Sequence, residues 1–103
     1  MGRPVRSGWW VVMVSVVGVR EVGEVRRRHL AVLAYEVEAR GLRWRLAGPQ
    51  ESVLSVVGPR TRRQVMVVAT PVASGWSFLW SGGGMADVGR VAEVADRLAR
   101  LLA

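Results

Sequence analysis

Every positive side chain in this chain is an arginine: fifteen arginines and no lysine stand against eight carboxylates, for a net charge of +7. A guanidinium forks onto phosphates and carboxylates and stacks on aromatic rings, so the placement of these groups decides what chemistry they offer. Arg43 and Arg45 alternate with Leu42, Trp44 and Leu46. Arg60, Arg62 and Arg63 crowd into the turn-like segment Gly58-Pro59-Arg60-Thr61-Arg62-Arg63. Residues 42–63 hold five arginines and one acid, whereas residues 87–103 balance three against three. Abundant arginine with alanine, glycine and valine also fits a G+C-rich coding sequence, so position carries more weight than number. Arginines on a hairpin contact phosphates and stack on bases. Arg60, Arg62 and Arg63, with Arg43 and Arg45 beside them, are therefore the candidate nucleic-acid contacts.

Residues for catalysis are sparse. The single histidine, His29, lies in the apolar stripe of a helical pattern, where it reads as a core or boundary residue rather than a base. Glu36, Glu38 and Glu51 have no recognisable metal-ligand spacing, and no cysteine is present to complete a metal site or form a disulfide. No serine stands in a G-x-S-x-G context. Asp87 and Asp96 fall on different sides of a helix and do not pair. Ser81-Gly82-Gly83-Gly84-Met85 before a helix would present backbone N–H groups to an anion, but it lacks the lysine and hydroxyl of a phosphate loop. A flexible strand-to-helix connection is the simpler reading. The chain is expected to be non-catalytic, with no metal and no cofactor.

The elements that position these residues follow from periodicity. Val22, Val25, His29, Leu33 and Val37 recur at helical spacing, with Leu30 and Ala34 widening the stripe, over residues 23–40. Gly41 is placed for a left-handed C-terminal cap, with Leu42 as its hydrophobic contact. Four short strands follow, at residues 42–46, 53–57, 65–70 and 76–81. Residues 64–86 carry no charge, and Trp76, Phe78 and Trp80 alternate with Ser77, Leu79 and Ser81. The connections are short, which favours antiparallel neighbours. Val88, Val91, Ala95, Leu98 and Leu102 mark a closing helix over residues 87–102. The fold class is α+β: helix, four-stranded antiparallel meander, helix, with both helices on one face of the sheet.

Residues 1–20 form an apolar N-terminal extension to a single domain spanning 21–103. Arg3 and Arg6 precede an apolar run from Trp9 to Val19, broken by Ser15 and Gly18. Three readings stay open: a signal or interfacial anchor with a poor cleavage site, a strand or packing arm, or a start assigned too far upstream. The run is shorter than the ~20 residues that span a bilayer.

If the aromatic strand faces the helices, alternation puts Arg43, Arg45, Val53, Ser55, Val57, Met66, Val68, Ser77 and Leu79 on the opposite face. The register of the second and third strands is open by one residue, and a slip there would exchange the two lists. That face has an apolar centre and a cationic edge, and such a patch marks an interface, whether the N-terminal arm packs there, two sheets pair or a partner docks. The expected function is a small non-catalytic protein-interaction or adaptor module. Arg43, Arg45, Met66, Val68 and Leu79 form its interaction face, and its partner is another protein or a second copy in a homodimer. The alternative is an arginine-dependent nucleic-acid-binding domain.

From Leu30 onward the layout resembles a loose group of short, uncharacterised proteins from actinobacteria. The resemblance rests on Ala39-Arg40-Gly41-Leu42 closing the first helix, a strand ending near Val57, Gly75-Trp76-Ser77-Phe78-Leu79-Trp80, and an Ala-, Arg- and Leu-rich closing helix. It implies an accessory role in the cytoplasm, fits dispensable first twenty residues, and implies no functional residue; membrane partners are not expected. Export or membrane association through residues 3–19 is the alternative.

Overall fold

The computed structural model describes the backbone of residues 3–103 and the side chains of residues 21–103. Helix α1 (Arg3–Ala39) leads into strands β1 (Arg43–Ala47), β2 (Val53–Val57), β3 (Gln64–Val72), β4 (Gly75–Trp80) and β5 (Gly84–Asp87), and helix α2 (Val91–Leu101) closes the chain. The five strands form one antiparallel sheet in the order β1-β2-β3-β4-β5. The α+β class and the antiparallel meander are as expected, but the sheet has five strands rather than four.

The additional strand changes the Gly-rich segment. Gly84–Asp87 pairs with Ser77–Trp80, so Ser81, Gly82 and Gly83 close a hairpin instead of linking a strand to a helix. Gly82 (φ 97°) and Gly83 (φ 88°) occupy the left-handed region that glycine enters at no steric cost. Consequently α2 starts at Val91 rather than 87, after a short 3-10 turn over Val88–Arg90 whose Gly89 N–H donates to Asp87 Oδ2 at 2.7 Å.

Helix α1 begins far before residue 23. Its backbone is helical from Arg3, so the boundary expected after residue 20 falls inside it. Thirty-seven residues of helix reach about 55 Å. The nine residues of the longest strand reach about 30 Å. The side chains of residues 3–20, on which the signal and anchor readings depend, lie outside the described ones. No helix among the described residues is long and apolar enough to cross a membrane.

The C-terminal end of α1 is a Schellman cap. Leu42 N–H donates to Val37 O at 3.1 Å and Gly41 N–H to Glu38 O at 3.0 Å, with Gly41 at φ 82°. The cap turns the chain into β1 and buries Leu42 beside Val37 in the core.

One buried cluster holds the domain together. Leu30, Leu33, Ala34 and Val37 of α1 and Val94, Ala95 and Leu98 of α2 share it with Leu54, Val56, Val65, Val67, Ala69, Phe78 and Trp80 of the sheet. Register places those sheet residues in a single alternation set, through Leu54↔Val67, Val56↔Val65, Val67↔Trp80 and Ala69↔Phe78. Two aromatics of that set lie at its margin. Trp44 is exposed and donates its Nε1 hydrogen to Glu38 Oε1 at 3.1 Å. Trp76 is half-buried, 5.4 Å from the His29 ring, with Arg26 Cζ 5.8 Å from its own ring centroid. The two helices are joined at their polar edge by Arg40, whose guanidinium reaches Asp96 Oδ1 at 2.7 Å and Glu36 Oε1 at 2.9 Å.

Candidate functional surface

The second alternation set carries the residues singled out for interaction. Ala47, Val53, Val68, Leu79 and Met85 stand in register through Ala47↔Val53, Val68↔Leu79 and Leu79↔Met85. Continuing the β2–β3 register from Leu54↔Val67 brings Val53 beside Val68. One apolar row thus crosses all five strands. Val68 and Leu79 are half-buried at its centre, and Met85 is 63% exposed at the β5 edge. A second row reads Arg45↔Ser55↔Met66, with Arg45 and Met66 exposed and Ser55 buried between them. Arg43 pairs with Val57 at the end of β1. A third row is polar: Thr70↔Ser77↔Asp87. The five residues expected to form the interaction face, Arg43, Arg45, Met66, Val68 and Leu79, therefore share one alternation set, and the feared slip between β2 and β3 is not present.

Two members of this set escaped sequence reasoning. Met85 and Asp87 belong to β5, which the triple glycine disguised as a linker. The alternation Met85-Ala86-Asp87 after a short Gly-rich turn was the available signal, because a three-residue connection containing glycine is a hairpin pattern.

The arginines of the turn are held at one corner of the same sheet. Gly58 N–H donates to Arg63 O at 3.2 Å and closes the segment, and Thr61 Oγ1 donates to the Leu102 carbonyl at 3.2 Å. Gly58 is required here by close approach: a Cβ at this position would stand 2.3 Å from Leu102 O. Arg60, Arg62 and Arg63 are exposed, as are Arg43 and Arg45. Because Arg43 pairs with the last residue of β2, it shares that end of the sheet with the turn, and Arg45 follows two residues further along β1. Among the described residues the ion pairs join Arg40 to Glu36 and Asp96, and Arg90 to Glu93, so none involves these five guanidiniums.

His29 does not reach this surface. It stands against Trp76 on α1, and its pKa is lowered, first by burial and then by the neighbouring Arg28 charge, with Asp87 opposing. The imidazole packs beside the Trp76 indole. Among the described residues no group of three or more His, Cys, Asp or Glu side chains converges on a metal-sized site. What the surface offers is an apolar row, a cationic corner and one carboxylate at the opposite edge. The chain matches no family model, no curated protein and no solved structure.

Proposed function

We propose that this protein is a non-catalytic interaction module that pairs through its exposed sheet face, most simply with a second copy of itself. The observation carrying the reading is the apolar row from Ala47 to Met85, which spans the sheet yet has no member in the buried core. In this reading both helices lie on the other face. Support comes from the single cluster that unites α1, α2 and the alternation set of Phe78 and Trp80. Met66 and Met85, both exposed, are flexible and polarizable side chains suited to an adaptable interface. Arg43 and Arg45 on β1 and Asp87 on β5 put unlike charges at opposite rims, so two copies can meet with complementary edges.

Size bounds the affinity. Five strands at ~4.8 Å spacing and about five residues at ~3.4 Å rise cover roughly 400 Å² in plan. A standard interface buries ~800 Å² per partner. The pairing is therefore weak and concentration-dependent. Nucleic-acid binding by Arg43, Arg45, Arg60, Arg62 and Arg63 is the second reading, favoured by their freedom from ion pairs among the described residues. It is the weaker one because the face lacks an aromatic platform: Phe78 and Trp80 are buried in the opposite set.

Sedimentation of the full chain over a dilution series tests the proposal. The expected result is a reversible monomer–dimer equilibrium abolished by Leu79→Arg and by Met85→Arg. The second variant guards against misfolding, because Met85 is exposed. A monomer at every concentration, or a dimer indifferent to both variants, sinks the self-pairing. Binding to single- or double-stranded nucleic acid that weakens steeply with salt and disappears when Arg60, Arg62 and Arg63 are replaced together would put the second reading first.

A further inference from the structure

We infer that the cleft between the β4–β5 turn and the C-terminal half of α2 binds a small ligand through a phosphate group, as a phosphate or diphosphate monoester. The cleft has a volume of about 380 Å³, with Trp80 and the Ser81–Gly84 turn on one side and Arg97, Arg100 and Leu101 of α2 on the other. This volume is at the lower end of small-molecule sites, ~300–1,000 Å³. It does not depend on the sheet face proposed above, since Trp80 belongs to the opposite alternation set.

Three features of the cleft converge on an oxyanion. First, Arg97 and Arg100 are three residues apart on α2, so their side chains leave the helix as neighbours. Neither is in an ion pair among the described residues. Second, Arg97 is already oriented, with its Cζ 5.7 Å from the Trp80 ring centroid. A guanidinium held over an indole loses less freedom when it grips a ligand. Third, the turn adds backbone donors. Ser81 N–H is bound to Met66 O at 3.2 Å, but the Gly82 and Gly83 N–H groups have no part in the turn's backbone hydrogen bonds. Successive backbone amides in a turn make a concavity for anions, and Gly82 and Gly83 are turn residues. A Cβ at either glycine would meet nothing within 4 Å, so the turn is open on that side.

The opposing influence is the helix dipole, which is negative at the C-terminal end of α2 and worth about half a charge. Two full positive charges exceed it. The Trp80 ring is only 7% exposed and is covered by Arg97, so it is a wall and not a stacking platform. Recognition therefore falls on the phosphate rather than on a base, and half-exposed Leu101 is left to touch the organic part of the ester.

The test is a nuclear magnetic resonance titration of the ¹⁵N-labelled full chain with inorganic phosphate, pyrophosphate and a nucleoside diphosphate, with sodium chloride at matched ionic strength. The expected result is saturable shifts of the Gly82 and Gly83 amides with at least one phosphate probe. Affinity should weaken by at least about tenfold in Arg97→Gln and in Arg100→Gln, the loss of a charge-assisted hydrogen bond. It should stay unchanged when Arg60, Arg62 and Arg63 are replaced. Pyrophosphate tighter than phosphate assigns a diphosphate, and a nucleoside diphosphate tighter than pyrophosphate shows that the ester is also read. Shifts that chloride reproduces, shifts spread over the chain, or affinity indifferent to both variants would overturn the assignment.

Discussion

Gly84→Ala probes the packing of the newly recognised strand most sharply. Gly84 stands directly across from Trp80 in the β4–β5 ladder, and the indole folds over its backbone. A Cβ there would lie 1.8 Å from Cε2, 2.0 Å from Nε1 and 2.4 Å from Cζ2 of the ring. Carbon atoms settle at ~3.5–4.0 Å, so the ring must retreat by roughly 2 Å. Trp80 is 7% exposed and joined to the core cluster, which leaves little room for that movement. Overpacking of this kind costs ~1–3 kcal/mol. The entropy gained by removing a glycine from the unfolded chain offsets ~0.4–1 kcal/mol. A net loss of about 1–2 kcal/mol should lower Tm by roughly 5–15 °C in a domain of this size. Urea unfolding followed by far-ultraviolet circular dichroism measures it, and a double-mutant cycle with Trp80→Leu assigns the cause. In the Trp80→Leu background Gly84→Ala should cost less by ~1 kcal/mol or more. An equal loss in both backgrounds, or no loss in the parent, would refute the steric account. The pairing of glycine with a large cross-strand aromatic would then have another reason.

Gly58→Ala should also destabilise, because its Cβ would press on the Leu102 carbonyl at 2.3 Å and on Thr61 Oγ1 at 2.7 Å. Hydrogen exchange should show the last turn of α2 opening more readily, while the β3–β4 ladder keeps its protection. The lowered pKa of His29 means that folding disfavours its charged form. This stability penalty is absent well above the unfolded value of ~6.5, grows as pH falls through that value, and is complete below the folded pKa. Denaturation at pH 7 and pH 5 should therefore show a smaller acid loss in His29→Gln than in the parent chain. Gln50 and Glu51 both sit at φ 56° in the β1–β2 turn. Gln50→Gly should raise stability by up to about 1 kcal/mol in a urea titration, since a side chain in the left-handed region costs ~1–2 kcal/mol.

The residues that announced their elements did so through local periodicity. Leu30, Leu33, Ala34 and Val37 form a helical stripe wherever the helix packs, and all four are buried. Gly41 followed by Leu42 specifies a cap that needs nothing beyond its own turn. Trp76–Trp80 alternates strongly enough to mark both the strand and the face of its aromatics, whereas Val53–Val57 is apolar on both faces and its register is set only by the pairing of Leu54 with Val67 and Ser55 with Met66. That register also assembled Arg43, Arg45, Met66, Val68 and Leu79 on one alternation set.

What the pattern could not supply was β5, the true start of α2 and the cleft between them. A triple glycine has no periodicity of its own, and Gly84 is a strand residue only because Trp80 lies across it. The pairing exists through a cross-strand contact, not through the β-propensity of Gly-Met-Ala-Asp. In the same way, Arg97 and Arg100 read as ordinary solvated charges on a helix. Their meeting with Gly82 and Gly83 is set by α2 docking into the shared core through Val94, Ala95 and Leu98. Local spacing determined the buried stripes of the two helices and the existence of the first four strands of this protein. Packing over long sequence separations decided which of its charged and glycine residues share a site, because that depends on how the elements meet.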